Sequence, residues 1–186
     1  MAITHQQQSI IIKSHSEGHL DRAIAHLAGV SVSTVRRYRK RLGLPTKCTT
    51  TKRGKIGERH TLEVATLRGL KAEMREGHNA SFDLYVSDRR VDAKTSMQLA
   101  NGKWRFRLPT RRRSYYGQYE YTKDYASDCD VVVLVALYPD GRTPDFYMLD
   151  SRTLPTSVTI RPGGPYAALK NDWHLLEKEK EDTLAA

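Results

Sequence analysis

The chain has 186 residues, of which 39% are hydrophobic, so it is long enough for one large or two small domains and apolar enough to fold. Lys and Arg number 31 against 21 Asp and Glu, and the resulting net charge of +10 favours a polyanionic partner. The sequence has neither a long apolar run nor a secretory signal pattern, which argues against a membrane protein and against export. Cys48 and Cys129 are too few and too far apart for a disulfide framework or a thiolate zinc site. We therefore expect an intracellular protein without a membrane partner.

The positive charge is concentrated in the first third of the chain. Residues 1–60 hold 12 basic and 3 acidic side chains, whereas residues 61–186 hold 19 basic and 18 acidic ones. The net charges of these two parts are therefore +9 and +1. We expect the N-terminal part to be the one that meets a polyanion, and the protein to be cytoplasmic.

The N-terminal residues carry helical signals, which Gly18 and Gly29 divide into three short helices. Their expected bounds are 4–15, 20–28 and 32–42. A polar and basic stretch without apolar periodicity follows over residues 46–54, and we interpret it as a linker. The sequence therefore predicts an all-α module over residues 1–45.

The rest of the chain combines one helix with several strands. The pattern predicts a helix from residue 55 to about 75 and strands over 82–86, 90–95, 104–108, 131–137 and 146–149. Because residues 131–137 are apolar at every position, that strand should lie at the centre of a sheet with both faces covered. We expect an α/β domain over residues 55–165 and a C-terminal helix with a charged tail over residues 166–186.

Residues 21–35 resemble a helix-turn-helix of the kind found in recombinase and sigma-factor-like DNA-binding domains. Gly29 permits a tight turn, Ser31 can cap the third helix, and the expected core consists of Ile24, Leu27, Val30 and Val35. The third helix has a cationic face opposite its apolar stripe. Near its start, three side chains are candidates for base contacts: Ser33, Thr34 and Arg37. Four others are better placed for phosphates: Arg36, Arg39, Lys40 and Arg41. The alternative is a solvated basic helix without a partner.

Three charged side chains fall on one face of a predicted hairpin. Period two places Asp92 and Lys94 on the same face of their strand, and a turn at residues 88–89 would place Asp83 opposite Lys94 and diagonal to Asp92. Clustered carboxylates are costly unless a cation lies between them. Asp83, Asp92 and the carbonyl of Ala93 would offer oxygen ligands to Mg²⁺.

With these residues the sequence resembles the PD-(D/E)xK nuclease superfamily, and most of all its homing-endonuclease and Holliday-junction-resolvase-like branch, over about residues 54–150. The resemblance implies a restriction-endonuclease-like fold, in which a mixed central sheet is flanked by helices. It also implies that Asp83, Asp92 and Lys94 form the catalytic motif, although Phe82 stands where the family has its eponymous proline.

Many members of the superfamily add a glutamate from the helix that precedes the sheet. Glu58 is our candidate, because it shares a helical stripe with Leu62 and Ala65 and should point at the sheet. Glu63 is the alternative. With Glu58, the two aspartates would hold Mg²⁺ or Mn²⁺ against the scissile phosphate, and Lys94 would orient or deprotonate the attacking water.

A second basic segment, over residues 111–119, mixes arginines with tyrosines in an expected loop. Arg111, Arg112 and Arg113 could bind phosphates there; the alternative is a solvated loop. The sequence thus predicts a metal-dependent endonuclease that acts on double-stranded DNA. One chain offers one catalytic motif, so we expect a homodimer or a higher homo-oligomer for cutting both strands. The alternative function is a DNA-binding regulator in which the nuclease-like domain is only a scaffold.

Overall fold

The computed structural model of the chain describes residues 3–76, 80–114 and 119–177. Its contacts divide the chain into two units. The first consists of Met1–Lys52 with Arg113–Tyr121, and the second of Arg53–Arg112 with Thr122–Ala186. None of the helices in the described ranges has the length and apolar composition needed to traverse a bilayer.

The first three helices lie within one residue of their predicted bounds. They are α1 (His5–Ser16), α2 (Asp21–Ala28) and α3 (Val32–Arg41). Thr4 and Gln7 cap α1 reciprocally, and the Ser31 hydroxyl accepts a hydrogen bond from the Thr34 N–H at 3.1 Å. Gly29 ends α2 in the left-handed conformation with φ 62°, as the turn signal predicts.

The core of these helices differs from the prediction at one position. Ile24 and Val35 are fully buried, but Leu27 is 52% exposed and does not belong to the core. Ile11 of α1 and Tyr38 of α3 complete the core instead. The α2 sequence alone could not reveal which of its apolar faces α1 covers.

The predicted linker over residues 46–54 is helical from Thr49 onward. Helix α4 (Thr49–Leu67) begins there, and the boundary between the two units falls inside it. Its first two turns are almost entirely exposed, so they carry no apolar periodicity by which a helix could be recognised. The predicted helix also ends earlier than expected, because Gly69 adopts a positive φ of 79°.

After α4, the described part of the chain contains nine strands and two short α-helices. In chain order they are β1 (Ala72–Met74), β2 (Leu84–Val86), β3 (Arg89–Met97), β4 (Trp104–Arg107), β5 (Arg111–Arg113), β6 (Glu120–Thr122), α5 (Tyr125–Asp128), β7 (Val131–Leu137), β8 (Asp145–Asp150), β9 (Ser157–Ile160) and α6 (His174–Glu177).

The central sheet has the strand order β1-β2-β3-β7-β8. Only β3 and β7 are parallel, and the other neighbouring strands are antiparallel. Strand β7 is buried at all seven positions, which confirms that it lies in the interior of the sheet. The mixed sheet flanked by helices agrees with the predicted α/β class.

The two faces of the sheet are covered by different elements. Helix α4 packs on one face through Ala65, alongside Val91, Val131 and Val133. At Gly57 the helix approaches so closely that a Cβ atom would lie 1.9 Å from Thr95 Oγ1. The other face carries the two-stranded antiparallel sheet of β4 and β9, which we call the β4–β9 ribbon.

The long C-terminal helix expected from residue 166 is wrong. A 3₁₀ turn at Ala167–Leu169 and the single turn of α6 take its place. Between them, Asn171 adopts φ 55°, donates its N–H to the Phe146 carbonyl at 2.7 Å and accepts the Phe146 N–H through its side chain at 2.8 Å. This tie to β8 interrupts the helix. The predicted tail over residues 178–186 lies outside the described residues.

Candidate active site

Strands β2 and β3 form the predicted hairpin, but the turn is one residue earlier than expected. It consists of Ser87 and Asp88, so Leu84 pairs with Val91 and Val86 with Arg89. Ser87 adopts φ 51°, the positive value that a two-residue hairpin turn requires. The pairing therefore shifts by two residues relative to the prediction, which preserves the face of every side chain but changes its partner.

As a result, Asp83 does not pair opposite Lys94; it immediately precedes β2, whose pairing with β3 ends at Leu84 and Val91. The Asp83 N–H donates to the Val91 carbonyl at 2.9 Å. Beyond this last backbone contact, the Ala93 N–H donates to Asp83 Oδ2 at 2.9 Å. In a strand, the N–H and C=O of one residue point to the same side, so the Ala93 carbonyl is directed to the side of the Asp83 carboxylate.

Asp92 is buried, with 3% of its surface exposed, and each of its carboxylate oxygens meets a lysine. Lys94 Nζ donates to Oδ1, and Lys123 Nζ lies 2.7 Å from Oδ2. Lys123 also donates to the Ser81 carbonyl and lies 3.6 Å from Asp128 Oδ2. Two ammonium groups therefore offset a carboxylate that would be costly to bury alone.

Both lysines have a lowered pKa. Burial is the main cause at Lys94, whose pKa falls below its ordinary value of 10.5 although the nearby Asp83 carboxylate opposes the change. Burial likewise lowers the pKa of Lys123. The Tyr125 ring packs beside both ammonium groups, with its centroid 4.8 Å from Lys123 Nζ and 5.7 Å from Lys94 Nζ. Lys94 is thus closer to losing its proton than an exposed lysine.

Glu58 is the helical glutamate that lies near this cluster. The pKa of Glu58 is raised, mainly by burial and to a smaller extent by the nearby Asp83 carboxylate. The positive charges of Lys55 and Lys94 act in the opposite direction. The alternative candidate, Glu63, has a side chain that is 53% exposed and forms an ion pair with His60 at 3.6 Å. Of the two glutamates, only Glu58 shares the electrostatic surroundings of Asp83.

The oxygen donors here suit a hard cation in type, since Mg²⁺ prefers carboxylate and carbonyl oxygens. Asp83, Glu58 and the Ala93 carbonyl are such donors. Among the described residues, however, no three His, Cys, Asp or Glu side chains converge as a ready metal site. The Lys123 ammonium group lies instead among oxygens of Asp92, Ser81 and Asp128, as a cation would. The donor chemistry fits a metal ion. To bind one, however, the Asp92 carboxylate would have to give up its contact with Lys94 or with Lys123.

Sequence reasoning missed the residues that precede β7. Lys123 lies two residues before α5, and Asp128 is the last residue of that helix; both contribute charged groups to the cluster. Tyr125, the first residue of α5, contributes the aromatic ring beside Lys123. The sequence carried no signal for these contacts, because they depend on the parallel pairing of β3 with β7. Cys129 is buried beside them, and burial raises the pKa of its thiol to about 11.

The predicted phosphate contact of Arg39 is wrong. This side chain is 8% exposed, and its Nε and Nη2 donate to the two Asp21 carboxylate oxygens at 2.5 and 3.0 Å. Its Nη1 donates to the Leu44 carbonyl at 2.9 Å. Arg39 therefore holds α3 against α2 and the segment that follows. Arg36 is 3.6 Å from the same aspartate, with 38% of its side chain exposed.

The other candidates on α3 are accessible to different degrees. Arg37, Lys40 and Arg41 are exposed. Ser33 and Thr34 are half-buried, and their hydroxyls lie 2.8 and 2.9 Å from the Ser31 hydroxyl at the start of the helix.

Strand β5 contains the three arginines of the second basic segment, and it pairs with β6. Arg111 is exposed, whereas the side chains of Arg112 and Arg113 and the whole of residues 115–118 lie outside the described part of the chain. Arg113 belongs to the first unit, whereas the hairpin belongs to the second.

No protein-family model matches the sequence, and no curated protein matches it. A solved structure does match, and it is described as that of a bacterial homing endonuclease, I-Ssp6803I. The match covers 69% of this chain and 93% of the endonuclease, with a TM-score of 0.52 and 17% sequence identity. The fold is nuclease-like. At this identity the likeness concerns the fold alone, and the chemistry must be argued from the residues.

Proposed function

We propose that this protein is a metal-dependent DNA endonuclease of the PD-(D/E)xK type. One observation carries the proposal, namely the grouping of the motif side chains. The Asp83 carboxylate accepts the N–H of Ala93, and on either side of Ala93 the side chains of Asp92 and Lys94 contact each other. Glu58 lies in the same electrostatic surroundings. A homing endonuclease has a similar fold, which supports DNA as the substrate. The reaction is hydrolysis of a phosphodiester bond.

Each residue has a distinct role in this proposal. Asp83, Asp92, Glu58 and the Ala93 carbonyl would hold Mg²⁺, with Mn²⁺ as a substitute, and the bound ion would neutralise charge on the phosphate. Lys94 holds the attacking water and can accept its proton, because burial already lowers the pKa of its ammonium group. Lys123 positions Asp92 through its 2.7 Å contact.

We further propose that α2 and α3 act as a helix-turn-helix that targets the enzyme. The exposed side chains of Arg37, Lys40 and Arg41 support this role, because cationic groups on a recognition helix bind phosphates and base edges in the major groove. Cutting both strands with one motif per chain calls for a homodimer or higher homo-oligomer. Light scattering of the free and DNA-bound protein tests that part, and a monomer in both states would contradict it.

A DNA-binding regulator with a nuclease-derived scaffold is the second candidate. It is favoured by the two lysines on Asp92, because a neutralised carboxylate is a stable structural element without any metal ion. In that case the cluster would stabilise the fold, and the protein would bind DNA without cutting it.

One experiment separates the two candidates. The purified protein is incubated with supercoiled plasmid and Mg²⁺, with EDTA as the metal-free arm and Lys94→Ala as the inactive variant. Asp88→Asn is a matched control, since Asp88 is an exposed carboxylate on the turn of the same hairpin. Metal-dependent cleavage that Lys94→Ala loses and Asp88→Asn keeps is expected. Binding of the plasmid without cleavage under any of these conditions would instead favour the regulator.

A further inference from the structure

The β4–β9 ribbon has one buried and one exposed face. Trp104 and Phe106 alternate inward with exposed Arg105 and Arg107 along β4. Along β9, exposed Ser157 and Thr159 alternate with two buried apolar residues. The pairing places Arg105 opposite Thr159 and Arg107 opposite Ser157, so two guanidinium groups and two hydroxyls share the outer face.

Among the described residues, the arginines on this face have no acidic partner. No ion pair in the described part of the chain involves Arg105 or Arg107, whereas Arg90, Arg142 and Arg152 of the same unit each pair with an aspartate. The ribbon strands also come from segments without acidic residues, since neither residues 93–119 nor residues 151–171 contain an Asp or Glu. Unpaired, exposed arginines on a rigid strand are available to an external anion.

The dimensions of the ribbon match duplex DNA. A two-stranded ribbon is one of the elements that the major groove of B-form DNA admits. Side chains two residues apart on a strand are separated by about 6.6 Å. Two base-pair steps rise by about 6.8 Å, so Arg105 and Arg107 can contact positions two base pairs apart in one groove. Thr159 and Ser157 add hydroxyls that can bond to base edges.

The ribbon is also directly connected to the candidate active site. It covers the sheet face that bears Asp92 and Lys94, because their β7 partners Val132 and Leu134 belong to the apolar cluster under the ribbon. Shortly after β4, the Thr110 carbonyl accepts the backbone N–H of Lys123 at 2.8 Å, and the ammonium group of that lysine contacts Asp92.

We propose that the outer face of the β4–β9 ribbon, formed by Arg105, Arg107, Ser157 and Thr159, binds duplex DNA in the major groove. This inference rests on the proposed function for its partner and adds a second contact surface, distinct from α3. The ribbon therefore contributes to substrate affinity and not to the chemical step.

The test compares the full-length protein with the double variant Arg105→Gln/Arg107→Gln. Arg142→Gln/Arg152→Gln is the matched control, because it removes two exposed arginines of the same unit that already pair with aspartates. Affinity for a fluorescent DNA duplex is measured by anisotropy in EDTA at several salt concentrations, so that no cleavage occurs. Thermal unfolding of each variant verifies that the fold is kept.

We expect the ribbon variant to bind at least about tenfold more weakly at low salt, and its slope of log affinity against log salt to fall in magnitude by about 2. The control should change neither quantity. An unchanged affinity and slope in the ribbon variant would overturn the inference. An equal loss of affinity for an RNA duplex of the same sequence would also overturn it, since the A-form major groove is too narrow for the ribbon.

These outcomes are independent of the nuclease proposal. If the wild-type protein binds DNA through the ribbon but never cleaves it, the ribbon inference stands and the nuclease proposal fails. If it cleaves with Mg²⁺ while the ribbon variant binds and cleaves as the wild type does, the nuclease proposal stands and the ribbon inference fails. When both hold, cleavage by the ribbon variant should show a raised KM with kcat nearly unchanged.

Discussion

Lys123 and Asp92 form a buried ion pair, with Nζ and Oδ2 2.7 Å apart and each side chain no more than 5% exposed. Lys123 precedes α5, whereas Asp92 lies within β3, and parallel pairing of β3 with β7 brings them together. The pair thus links the candidate catalytic carboxylate to the hydrophobic core of the same unit.

Replacing Lys123 should therefore destabilise the protein and also impair DNA cleavage. Lys123→Met leaves Asp92 with Lys94 alone, and we expect the free energy of unfolding to fall by on the order of 3 kcal/mol. Urea denaturation at pH 7 measures the change. In the Lys123→Met background, Asp92→Asn should recover part of the loss, because it removes the uncompensated charge. No recovery would mean that packing, not charge, accounts for the effect.

Removing either aspartate of the proposed site should separate cleavage from binding. Asp83→Asn or Asp92→Asn is expected to abolish Mg²⁺-dependent cleavage while DNA affinity stays the same or rises, because each variant loses a metal ligand and a negative charge near the phosphate. Plasmid nicking and duplex binding are measured on the same preparations. Cleavage at the wild-type rate in either variant would remove the proposed site.

Arg37 and Arg39 should behave oppositely although they are two residues apart. Arg39→Gln breaks a bidentate contact with Asp21 and should lower the melting temperature. Arg37 is exposed, so Arg37→Gln should leave stability unchanged and weaken DNA binding, by about 1 to 3 kcal/mol if the side chain contacts a base. Thermal unfolding of both variants measures the change in stability, and a DNA-binding titration measures the change in affinity. A loss of affinity confined to Arg39→Gln would reverse our assignment.

Because α4 approaches β3 closely at Gly57, we expect that a larger residue at this position is not tolerated without a shift of the helix. Gly57→Ala would bring Cβ to 1.9 Å from Thr95 Oγ1, so the helix must shift, at a cost of about 1 to 3 kcal/mol. Because α4 carries Glu58 next along the chain, the shift should also reduce cleavage. Thr95→Ala in the same molecule removes the hydroxyl and should restore part of both stability and activity. A fully stable Gly57→Ala protein would show that this contact is not tight.

Asp145 should make stability depend on pH in the acid range. Burial acts to raise the pKa of its carboxyl, but hydrogen bonds from Tyr138 and Lys170 outweigh burial and lower the pKa below 3.8. A lowered folded-state pKa stabilises the protein above the unfolded value, and this contribution is lost as the pH falls through the folded value.

The variant Asp145→Asn should thus unfold more easily at pH 7, by on the order of 1 to 2 kcal/mol. Its difference from the wild type should shrink as the pH falls below 3.8. Urea denaturation at pH 7 and in the acid range measures both. Asp140→Asn serves as the control, because that carboxylate is 63% exposed. A difference that stays constant with pH would exclude the ionised carboxylate as its source.

Local signals in the sequence were sufficient for most of the elements. The three N-terminal helices follow from Gly18, Gly29 and the Ser31 cap, and strand β7 follows from an uninterrupted apolar run. Asp92 and Lys94 could be assigned to one face because side chains alternate along a strand whatever the register. These features depend on residues close together in the chain.

The tertiary structure decided what depends on distant residues. The hairpin register depends on the positive φ of Ser87, and Lys123 reaches Asp92 only because β7 pairs with β3 in parallel. Likewise, the net charge of +1 over residues 61–186 conceals the exposed face of the β4–β9 ribbon, because only the pairing of two segments that are distant in the chain places its arginines and hydroxyls side by side. The periodicity of apolar residues and the capping of helices depend on residues close together in the chain. Ion pairs between distant residues and the exposed faces of a sheet are determined by tertiary packing.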